Sequence, residues 1–457
     1  MDDVEIIAPR AVDAEGVKVT VCPDLFSVRG MAEALRQARA DVVGLSPCVR
    51  PFRALAASVS FMVDCLEGQE AVMVYADYVV EDGDANVLRQ LNDAERHVVR
   101  DSFDFGPLLV MRRADALKAL ADASEEWCRS AFYALTLGLQ RLGLFYRTGV
   151  PVGFVSSADK RDSGERQFDY VDPRNATVQK ELEQVCAAHL RSIGAYVSAD
   201  ARVECKSHSS FPRRASVVIP VRNRVKTVAD AIRSALGQRA SFDFNVIVVD
   251  NHSDDGTSDV VAALARENDQ VVHIRPQATD LGIGGCWNAA VQSAECGKYA
   301  VQLDSDDLYA SDTALQTIVD KFAERPYALV VGAYRLVDFN LEEIPPGVID
   351  HREWTDANGA NNILRVNGMG APRAFAADWL RKHPFPNVSY GEDYAAVLAA
   401  TRRYMVGRIF SVLYLCRRWG GNSDAGLTPR EQAAHDAYKD KLRSDEVEAR
   451  IALNKKK

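Results

Sequence analysis

Three carboxylates stand within four positions at Asp304-Ser305-Asp306-Asp307, directly after the short and mostly apolar run Val301-Gln302-Leu303. Carboxylates this close repel one another unless a divalent cation or a set of hydrogen-bond donors offsets their charge. Hard cations such as Mg²⁺ prefer oxygen ligands, so the cluster indicates a cation site at the end of a strand. The alternative is a turn in which Asp307 caps a helix that begins near Thr313.

The elements that must position this cluster begin at Ala215, where apolar strands start to alternate with helices. The predicted elements are a strand at 216–220 stopped by proline, a helix at 227–236, strands at 244–249 and 271–274, and a helix from about Cys286. Such alternation predicts a parallel, doubly wound sheet, and ligands bind these sheets at the carboxyl ends of the strands. We therefore expect Pro220, Asp250 and Asp304 along one edge.

Two other segments at this edge have the chemistry to bind a nucleotide. Asp250 places an acceptor where the ring NH of a nucleobase can be read, and the polar turn at 251–257 can line the base pocket. An ordinary Asn/Asp/Gly turn is the alternative. Gly282, Gly284 and Gly285 allow the backbone to approach a phosphate or ribose, but they lack the spacing of a dinucleotide fingerprint.

The composition limits the classes of protein that fit. The chain has 457 residues, 47% of them hydrophobic, and a net charge of -9, which favours two or three domains and argues against nucleic-acid binding. The start at Met1-Asp2-Asp3 shows no leader, and no apolar run approaches about 20 residues, so we expect a cytoplasmic protein. The nine scattered cysteines indicate reduced, mostly buried thiols.

A polar, proline-broken segment at 206–214 marks the expected domain boundary. We predict an α/β domain at 1–160, a helical linker at 161–206 and a second α/β domain at 207–457. Within the linker, apolar residues from Val178 to Ile193 recur at helical spacing, with Asn175 as the expected cap. His189 on this apolar face is expected to be a packing residue.

Residues 215–307 resemble a family 2 glycosyltransferase of the GT-A fold, which has a Rossmann-like, mostly parallel doubly wound sheet. The resemblance rests on four segments in the family's order and spacing: Val217-Val218-Ile219-Pro220-Val221-Arg222-Asn223-Arg224, Ile247-Val248-Val249-Asp250 with Asp255-Gly256-Thr257, Leu281-Gly282-Ile283-Gly284, and Asp304-Ser305-Asp306-Asp307. It implies a nucleotide-sugar substrate, with UDP the commonest nucleotide in the family. It also implies Asp250 near the base, Asp304 toward the ribose, and Mn²⁺ or Mg²⁺ on Asp306, with Asp304 beside it.

The same resemblance implies a wider binding site for the nucleotide sugar. The further residues expected there are Pro220, Arg222, Asn223, Asn251, Gly282, Ser305, Arg417 and Arg418. Arg417 and Arg418 suit a diphosphate because the guanidinium is a planar fork of donors. The family follows this arginine with a histidine that completes the metal shell, whereas here Trp419 and two glycines follow. The third metal ligand is left open between water, Asp304 and His351.

On the acceptor side, Glu392-Asp393 resembles the family's Glu-Asp site. This resemblance implies Asp393 as the base that deprotonates the attacking hydroxyl and Glu392 as a residue that binds the acceptor. Removal of the proton by a base implies an inverting, single-displacement reaction, because no second nucleophile is needed. Trp354 and Trp419 are the predicted acceptor contacts, although a lone tryptophan such as Trp354 is more often a core residue.

The first 160 residues match the C-terminal half at short segments that keep their order. The matched pairs are 19–23 with 272–276, 41–48 with 300–306, 71–76 with 328–333, and 132–135 with 393–396. A diverged internal copy with small insertions produces such a series. In this copy Ser46-Pro47-Cys48 replaces Asp304-Ser305-Asp306, and the opening base-binding unit has no counterpart. We therefore predict a truncated GT-A-like domain without chemistry, and an unrelated α/β module is the alternative.

Two rival functions come from other classes. A sugar nucleotidyltransferase also uses paired carboxylates, but it opens with a glycine-rich basic loop where this chain has Pro220-Val221-Arg222-Asn223. A non-catalytic scaffold that binds nucleotide sugars or glycans fits the N-terminal half better than the C-terminal half. The expected partners are a nucleotide sugar and a glycan, glycolipid or polysaccharide. The N-terminal domain can support an oligomer, and the basic end at 453–457 can touch anionic lipid, with a solvated tail as its alternative.

Overall fold

The computed structural model describes residues 4–83, 85–156, 175–207, 209–366, 368–422 and 426–456. The described parts of the chain form two compact units. The first contains Met1–Tyr196, Leu364–Val366 and Gln432–Lys457, and the second contains Val197–Ile363 and Asn367–Glu431. This grouping differs from the predicted domain limits, because the helical segment before residue 196 and the C-terminal segment both group with the N-terminal unit.

The first unit is an α/β unit with two sheets. Its helices are α1 (Val28–Gln37), α2 (Ala56–Gly68), α3 (Arg113–Ala119), α4 (Ala131–Gln140) and α5 (Ala176–Ser192). Its strands are β1 (Val4–Ala8), β2 (Lys18–Val21), β3 (Val42–Leu45), β4 (Phe52–Ala54), β5 (Met73–Ala76), β6 (Tyr78–Asp82), β7 (Ala85–Arg89), β8 (Leu109–Arg112), β9 (Phe145–Thr148) and β10 (Gly153–Ser156). The larger sheet has the order β2-β1-β3-β8-β5-β9, and the smaller one has the order β4-β10-β6-β7.

The second unit contains a nine-stranded sheet. Its elements are β11 (Ala215–Val221), α6 (Val228–Leu236), β12 (Phe244–Asp250), α7 (Thr257–Glu267), β13 (Val271–Ile274), α8 (Ile283–Gln292), β14 (Tyr299–Gln302), β15 (Leu308–Tyr309), α9 (Ala314–Glu324), β16 (Leu329–Val337), β17 (Glu343–Ile349), α10 (Gly359–Asn362), β18 (Arg373–Ala376), α11 (Ala377–Lys382), α12 (Glu392–Thr401) and β19 (Val406–Arg417). The last helix, α13 (Pro429–Asn454), begins in this unit and belongs to the first unit from Gln432 onward.

The strands of the second unit follow the order β13-β12-β11-β14-β18-β16-β19-β15, with β17 paired to β16. The first four strands are parallel, and β11 and β12 are apolar and almost wholly buried, because helices cover both faces of such a sheet. Beyond β14 the sheet is mixed, with four antiparallel pairings and one parallel pairing. The predicted doubly wound α/β sheet is confirmed, although its parallel part is confined mainly to residues 215–302.

Most predicted elements of this region coincide with the structure. Strand β13 has the predicted bounds, and α6 begins one residue later than expected. Strand β11 does not stop at proline, since Pro220 pairs with Val249 and the strand continues to Val221. In the first unit, α5 confirms the expected helix, and His189 is buried on it as predicted.

Six strands of the second sheet have the same order and the same directions as the six-stranded sheet of the first unit. In the first unit the order is β2-β1-β3-β8-β5-β9, and in the second it is β12-β11-β14-β18-β16-β19. The successive pairings are parallel, parallel, antiparallel, antiparallel and parallel in both. The helices agree too, because α1, α2, α3 and α4 occupy the same chain positions between these strands as α8, α9, α11 and α12.

This agreement supports three of the four matched segment pairs and corrects the other. Strands β3 and β5 and helix α4 take the positions of β14, β16 and α12, as the matches predict. The match of 19–23 with 272–276 is wrong, because β2 pairs directly with β1 and therefore takes the place of β12 rather than β13. The opening strand is thus present as β1. The described chain between β1 and α1 has no counterpart of α6, α7 or β13.

Other expectations are met in part. All nine cysteines are unpaired, but only Cys65, Cys186, Cys286 and Cys296 are buried, and Cys128 is exposed. No helix in the described residues is long and apolar enough to cross a membrane. Of the basic C-terminal end, Lys457 lies outside the described residues, as do His208, Asn367 and Ser423 from other segments of interest.

Candidate functional site

The parallel strands β11, β12 and β14 bring three predicted site residues to one edge of the sheet. Pro220 lies one residue before the end of β11, Asp250 ends β12, and Asp304 follows β14 by two residues. The strand order places β11 between the other two. This is the edge at which open α/β sheets bind their ligands.

Asp250 is fully buried and held by several donors. Its Oδ1 accepts a hydrogen bond from the backbone N–H of Ser253 at 3.0 Å, and its Oδ2 accepts one from the Ser258 hydroxyl. The ring of His273 and the Nε of Arg275 lie 3.5 and 3.7 Å from the same oxygen. Burial raises the pKa of Asp250, but the bonds from Ser258 and Ser253 outweigh it and hold the pKa below its usual value. Asp250 is therefore an ionised acceptor.

Hydrogen bonds connect the turns beside Asp250 to one another. Asn251 donates from Nδ2 to the carbonyl of Leu281 at 2.7 Å, while its buried Oδ1 has no hydrogen-bond partner. Asn223 has a positive φ of 54° and accepts from the backbone N–H of Asp254 at 3.0 Å. Arg222 is exposed at the same turn. The unpaired oxygen of Asn251 is an acceptor available to a bound base or ribose.

Asp304 faces the amide of Gln302. The Nε2 of Gln302 lies 3.1 Å from Oδ1 and 3.0 Å from Oδ2 of Asp304, and the Asp304 backbone N–H donates to the Tyr414 hydroxyl at 2.9 Å. Burial, followed by the charge of Asp306, raises the pKa of Asp304. The carboxylate therefore lacks a full counter-charge within the protein.

Asp306 is held by neutral donors. Its Oδ2 accepts from the indole Nε1 of Trp419 and the Nδ2 of Asn422, each at 3.1 Å. The Nε of Arg224 is 3.9 Å from the same oxygen. In the described chain its Oδ1 has no hydrogen-bond partner, and neighbouring Ser305 is buried. One carboxylate oxygen of Asp306 is thus open for a ligand.

Asp307 supports the strand ends and is not a helix cap. Its Oδ1 accepts from the backbone N–H of Arg417 at 2.7 Å, while α9 starts at Ala314 behind Thr313. Burial, together with the charges of Asp304 and Asp306, raises the pKa of Asp307 well above its ordinary value. The helix-cap alternative for this cluster is therefore wrong.

The donor set of this cluster suits a divalent cation that is shared with a substrate. Asp304 and Asp306 offer carboxylate oxygens, the ligands that Mg²⁺ takes one or two at a time beside phosphate oxygens and water. Within the described ranges, no group of three His, Cys, Asp or Glu side chains is arranged to hold a metal. His351 is engaged elsewhere, since its Nε2 accepts from the Gly370 N–H at 3.0 Å and its Nδ1 lies 3.5 Å from Glu353.

The two adjacent arginines differ in position. Arg417 is 3% exposed and its Nε donates to the carbonyl of Asp306, with Nη1 3.4 Å from Asp230. Its Nη2 is buried without a hydrogen-bond partner. Arg418 is half-buried and donates its backbone N–H to Val337. Arg417 therefore supports the Asp306 loop, and diphosphate binding by either arginine stays a prediction.

Glu392 and Asp393 begin α12, directly after Gly391 with a φ of 79°. Asp393 accepts from the Nη2 of Arg373 at 2.5 Å and from the backbone N–H of Tyr394 at 2.6 Å. Glu392 is 9% exposed, and its Oε2 is buried without a hydrogen-bond partner. Burial, then the charge of Asp393, raises the pKa of Glu392 to about 8. Glu392 is therefore mainly protonated at neutral pH.

The glycines before α8 are required by packing. A Cβ on Gly282 would lie 2.4 Å from the carbonyl carbon of Val388, and one on Gly284 would lie 2.0 Å from the carbonyl oxygen of Pro386. The backbone of 386–388 thus passes directly against this turn. The Gly282 N–H donates to Asn387 at 2.8 Å. This close approach explains the glycines without a phosphate, and contact between Gly282 and the nucleotide stays a prediction.

The two predicted acceptor tryptophans lie in different environments. Trp354 is 3% exposed, and Arg408 lies over its ring at 5.5 Å. A buried ring cannot stack on an acceptor sugar, so this prediction is wrong and Trp354 is a packing residue. Trp419 is half-buried, donates to Asp306 and packs against Phe339. Its place is at the carboxylate cluster, and its contact with an acceptor stays a prediction.

Three polar residues of this site were not predicted from the sequence: Gln302, Arg373 and Asn422. They act through the tertiary structure, since Arg373 meets Gln302 across two antiparallel strands and Asn422 reaches back to Asp306 from far along the chain. Neither pair has a local spacing by which the sequence could reveal it.

A family model described as glycosyl transferase family 2 matches residues 216–377. The chain is 25% identical over 223 residues to the poly(ribitol-phosphate) beta-glucosyltransferase of Bacillus spizizenii, covering 47% of this chain and 34% of that protein. It is 34% identical over 117 residues to the GalNAc(5)-diNAcBac-PP-undecaprenol beta-1,3-glucosyltransferase of Campylobacter jejuni, covering 26% of this chain and 37% of that protein. The chain thus spans about a third of the length of these curated relatives.

Among solved structures, the chain is similar to S. aureus TarS 1–349 in complex with UDP-GlcNAc. The identity is 21%, the TM-score is 0.41, and the match covers 51% of this chain and 66% of that one. At this TM-score the likeness carries no argument about function.

Proposed function

We propose that the protein transfers a sugar from a nucleotide-diphosphate sugar to a hydroxyl of an acceptor, and the match of residues 216–377 to the glycosyl transferase family 2 model supports this proposal. The observation that carries the proposal is the set of carboxylates around one sheet edge. Asp250, Asp304 and Asp306 follow the ends of parallel strands, and Asp393 is tied to the same strands through Arg373. Asp304 and Asp306 are held mainly by neutral donors, and carboxylates of this kind at a sheet edge are typical of a ligand site.

Different side chains bind the base, the ribose and the diphosphate of the nucleotide sugar. Asp250, held ionised by Ser258 and Ser253, accepts the ring N–H of a base such as uracil. The buried Oδ1 of Asn251, which has no hydrogen-bond partner among the described residues, adds a second acceptor. Asp304 lies toward the ribose. Pro220, Arg222 and Asn223 line the turn beside the base pocket, and Arg417 and Arg418 add positive charge near the diphosphate.

We place a divalent cation, Mn²⁺ or Mg²⁺, on Asp306 and Asp304. When bound, it neutralises the charge that develops on the departing diphosphate. The open Oδ1 of Asp306 is the protein atom best placed to hold it, and the Trp419 and Asn422 donors fix the other oxygen. Phosphate oxygens of the substrate and water would supply the other ligands of a bound cation, so a third protein ligand would not be needed.

Asp393 is the proposed base that takes the proton of the acceptor hydroxyl. Proton removal by this base needs no second nucleophile, so the reaction inverts the configuration of the transferred sugar. Glu392, mainly protonated at neutral pH, is suited to donate a hydrogen bond to an acceptor oxygen. The relatives' names refer to a ribitol-phosphate polymer and a lipid-linked glycan, so we propose a polymer or glycolipid acceptor.

The first experiment measures melting temperature with UDP-, GDP-, dTDP- and CMP-sugars, each with and without Mn²⁺ or Mg²⁺. A ligand that binds only the folded state raises the melting temperature, by an amount equivalent to about 2.7 kcal/mol at 100 times its Kd. We expect a cation-dependent rise with a UDP-sugar. A rise with another nucleotide would correct the base. No rise with any would favour the scaffold, or a nucleotide-sugar site that forms only when the acceptor is present.

The role of the base is tested by Asp393→Asn in an assay of sugar transfer or of sugar release to water. We expect unchanged affinity for the nucleotide sugar and a loss of turnover of about 10²- to 10⁴-fold. Normal turnover by Asp393→Asn would show that another group is the base. The cytoplasmic location, the predicted domain limits and an oligomer through the N-terminal domain stay predictions beside this proposal.

A further inference from the structure

Two polar side chains connect the carboxylates on either side of the proposed reaction. Strands β14 and β18 run antiparallel with Val301 opposite Ala374, so Gln302 and Arg373 are neighbours across the pair. Gln302 is 7% exposed, and the side chain of Arg373 is 12% exposed. The contact between them is therefore shielded from water.

The side-chain amide of Gln302 contacts Asp304 on one side and Arg373 on the other. Its Nε2 donates toward both carboxylate oxygens of Asp304, at 3.1 and 3.0 Å. Its Oε1 accepts from the backbone N–H and from Nη1 of Arg373, at 3.1 and 3.0 Å. An amide carries a donor and an acceptor on one rigid plane, so it can join a carboxylate to a guanidinium.

The guanidinium of Arg373 donates to three different groups. Nε donates to the carbonyl of Met369 at 2.6 Å, Nη1 to Gln302, and Nη2 to the carboxylate of Asp393 at 2.5 Å. A fork held at three points has little freedom to turn. The Asp393 side chain is thereby fixed relative to β14, whose end leads into Asp304.

We propose that Gln302 and Arg373 form a positioning bridge that holds Asp304, on the nucleotide-sugar side, and Asp393, the base, in one geometry. The inference rests on the proposed function and deepens it. The chain of contacts runs from Asp304 through the Gln302 amide and the Arg373 guanidinium to Asp393. Neither Gln302 nor Arg373 needs to touch a substrate, and both act through the carboxylates that they orient.

The physical basis is the steep cost of misplacing a reacting group. A displacement of about 1 Å caused away from the chemistry can lower a rate about 100-fold. The side chain of Asp393 is 32% exposed, so without Arg373 its carboxylate would lose the cation that orients it. Asp304 would likewise lose the amide that faces both of its oxygens.

The test uses the full chain and two readouts, affinity for UDP with Mn²⁺ by calorimetry and the rate of UDP-sugar hydrolysis, which needs no acceptor. For Arg373→Met we expect a turnover about 100-fold lower, with the Kd for UDP within about threefold of wild type. For Gln302→Leu we expect a lower turnover and also a Kd that is about 10- to 100-fold weaker, since it supports a proposed metal ligand.

Matched controls separate positioning from general loss of packing. Gln238 is also 7% exposed and is bonded to Ser311 and Leu315, so Gln238→Leu repeats the Gln302 substitution away from the bridge. Arg381 donates to the carbonyls of Val291 and Ser293, so Arg381→Met repeats the Arg373 substitution. Both controls are expected to keep the wild-type turnover and Kd.

The double variant Arg373→Met/Asp393→Asn shows whether Arg373 acts through Asp393. A positioning residue loses its effect once the base is gone, so the double variant should hydrolyse the donor within about threefold of Asp393→Asn alone. The bridge would be overturned if the losses of turnover in the two single variants multiplied in the double variant. It would also be overturned if Arg373→Met were as active as its control, Arg381→Met.

Two further outcomes are also decisive. If Arg373→Met does not fold, Arg373→Lys replaces it; a lysine keeps the charge and one bond to Asp393, so we expect a loss of about tenfold, and wild-type turnover would overturn the bridge. Wild-type protein that neither binds nor hydrolyses any nucleotide sugar would overturn the proposed function and the bridge with it. If the wild-type protein is active and substitution of Arg373 does not change its turnover, the bridge is overturned but the proposed function is not.

Discussion

The two units share a sheet topology and differ in how their buried carboxylates are neutralised. In the first unit the buried carboxylates lie beside cations: Glu5 is 2.8 Å from Lys18, Asp77 is 2.8 Å from Arg147, Asp440 bonds Arg100 and Arg443, and Glu446 bonds Arg450. In the second unit, burial and mutual repulsion raise the pKa values of Asp304, Asp307 and Glu392. Paired charges stabilise a fold, whereas carboxylates without full compensation indicate a site for a ligand.

The same comparison shows that one strand order can carry different residues at the strand ends. Strands β3 and β14 occupy the same place, but β3 leads into Ser46-Pro47-Cys48 and β14 leads into Asp304-Ser305-Asp306. The buried strands β1 and β11 are both mostly apolar, so the core survives the change at the strand ends. Fold and function are separable because the residues at the carboxyl ends contribute little to the core.

The largest expected effect is on binding of the nucleotide sugar, and it compares substitution of Asp306 with substitution of its counterpart in the first sheet. Asp306→Ala should lose cation-dependent binding of the nucleotide sugar by about 100-fold or more, because a phosphate-bridging cation contributes several kcal/mol. Cys48→Ala should leave this binding unchanged. Calorimetry with UDP and Mn²⁺ measures both, and equal losses from the two substitutions would contradict the division of labour between the units.

The next effect concerns stability of the first unit. Asp440→Asn removes the shared partner of Arg100 and Arg443, both buried, and should lower the free energy of unfolding by about 3 to 5 kcal/mol. Urea denaturation measures the change. On the same helix, Asp445→Asn removes an exposed pair with Lys441 and should change stability by less than about 0.5 kcal/mol. A small effect of Asp440→Asn would show that these ion pairs are not what stabilises the unit.

A pH effect follows from His189 in α5. Burial, then the nearby charge of Arg141, lowers its pKa to about 3, so the folded protein keeps the ring neutral while the unfolded chain protonates it near pH 6.5. Stability should therefore decline as the pH falls from 6.5 toward 3, by at most about 1.4 kcal/mol per pH unit from this group. His189→Gln should flatten that slope in urea titrations between pH 6.5 and 4.5, and an unchanged slope would contradict the burial argument.

A second pH effect concerns Glu392, whose pKa is raised to about 8. Its stabilising contribution is complete below about pH 4.5, where both the folded and the unfolded forms are protonated, and is lost as the pH rises through 8. Glu392→Gln imitates the protonated form at every pH. The variant should therefore melt at a higher temperature than wild type above pH 5, with a difference that grows toward pH 8. A constant difference would indicate that Glu392 is ionised throughout.

The sequence predicted much of the second unit because its signals are local. Strand β13 and helix α6 follow from apolar runs bounded by turns, and the shared edge of Asp250 and Asp304 follows from the rule for parallel strands. The sequence left two interpretations of Trp354 open, an acceptor contact and a core residue, because one tryptophan in a loop has no periodicity that fixes its exposure. It also misplaced β2, because short apolar strands resemble one another and only their neighbours in the sheet distinguish them.

The amino-acid sequence by itself determined the chemistry of the strand ends and the match of residues 216–377 to the glycosyl transferase family 2 model, since both depend on residue types at fixed spacing. The tertiary structure alone decided which groups meet: Gln302 with Arg373 across antiparallel strands, Trp419 and Asn422 on Asp306, and the matching order of the two sheets. These contacts join residues up to 116 positions apart. Hydrogen bonds and burial depend on distance in space, and no pattern along the chain specifies that distance before the strands have paired.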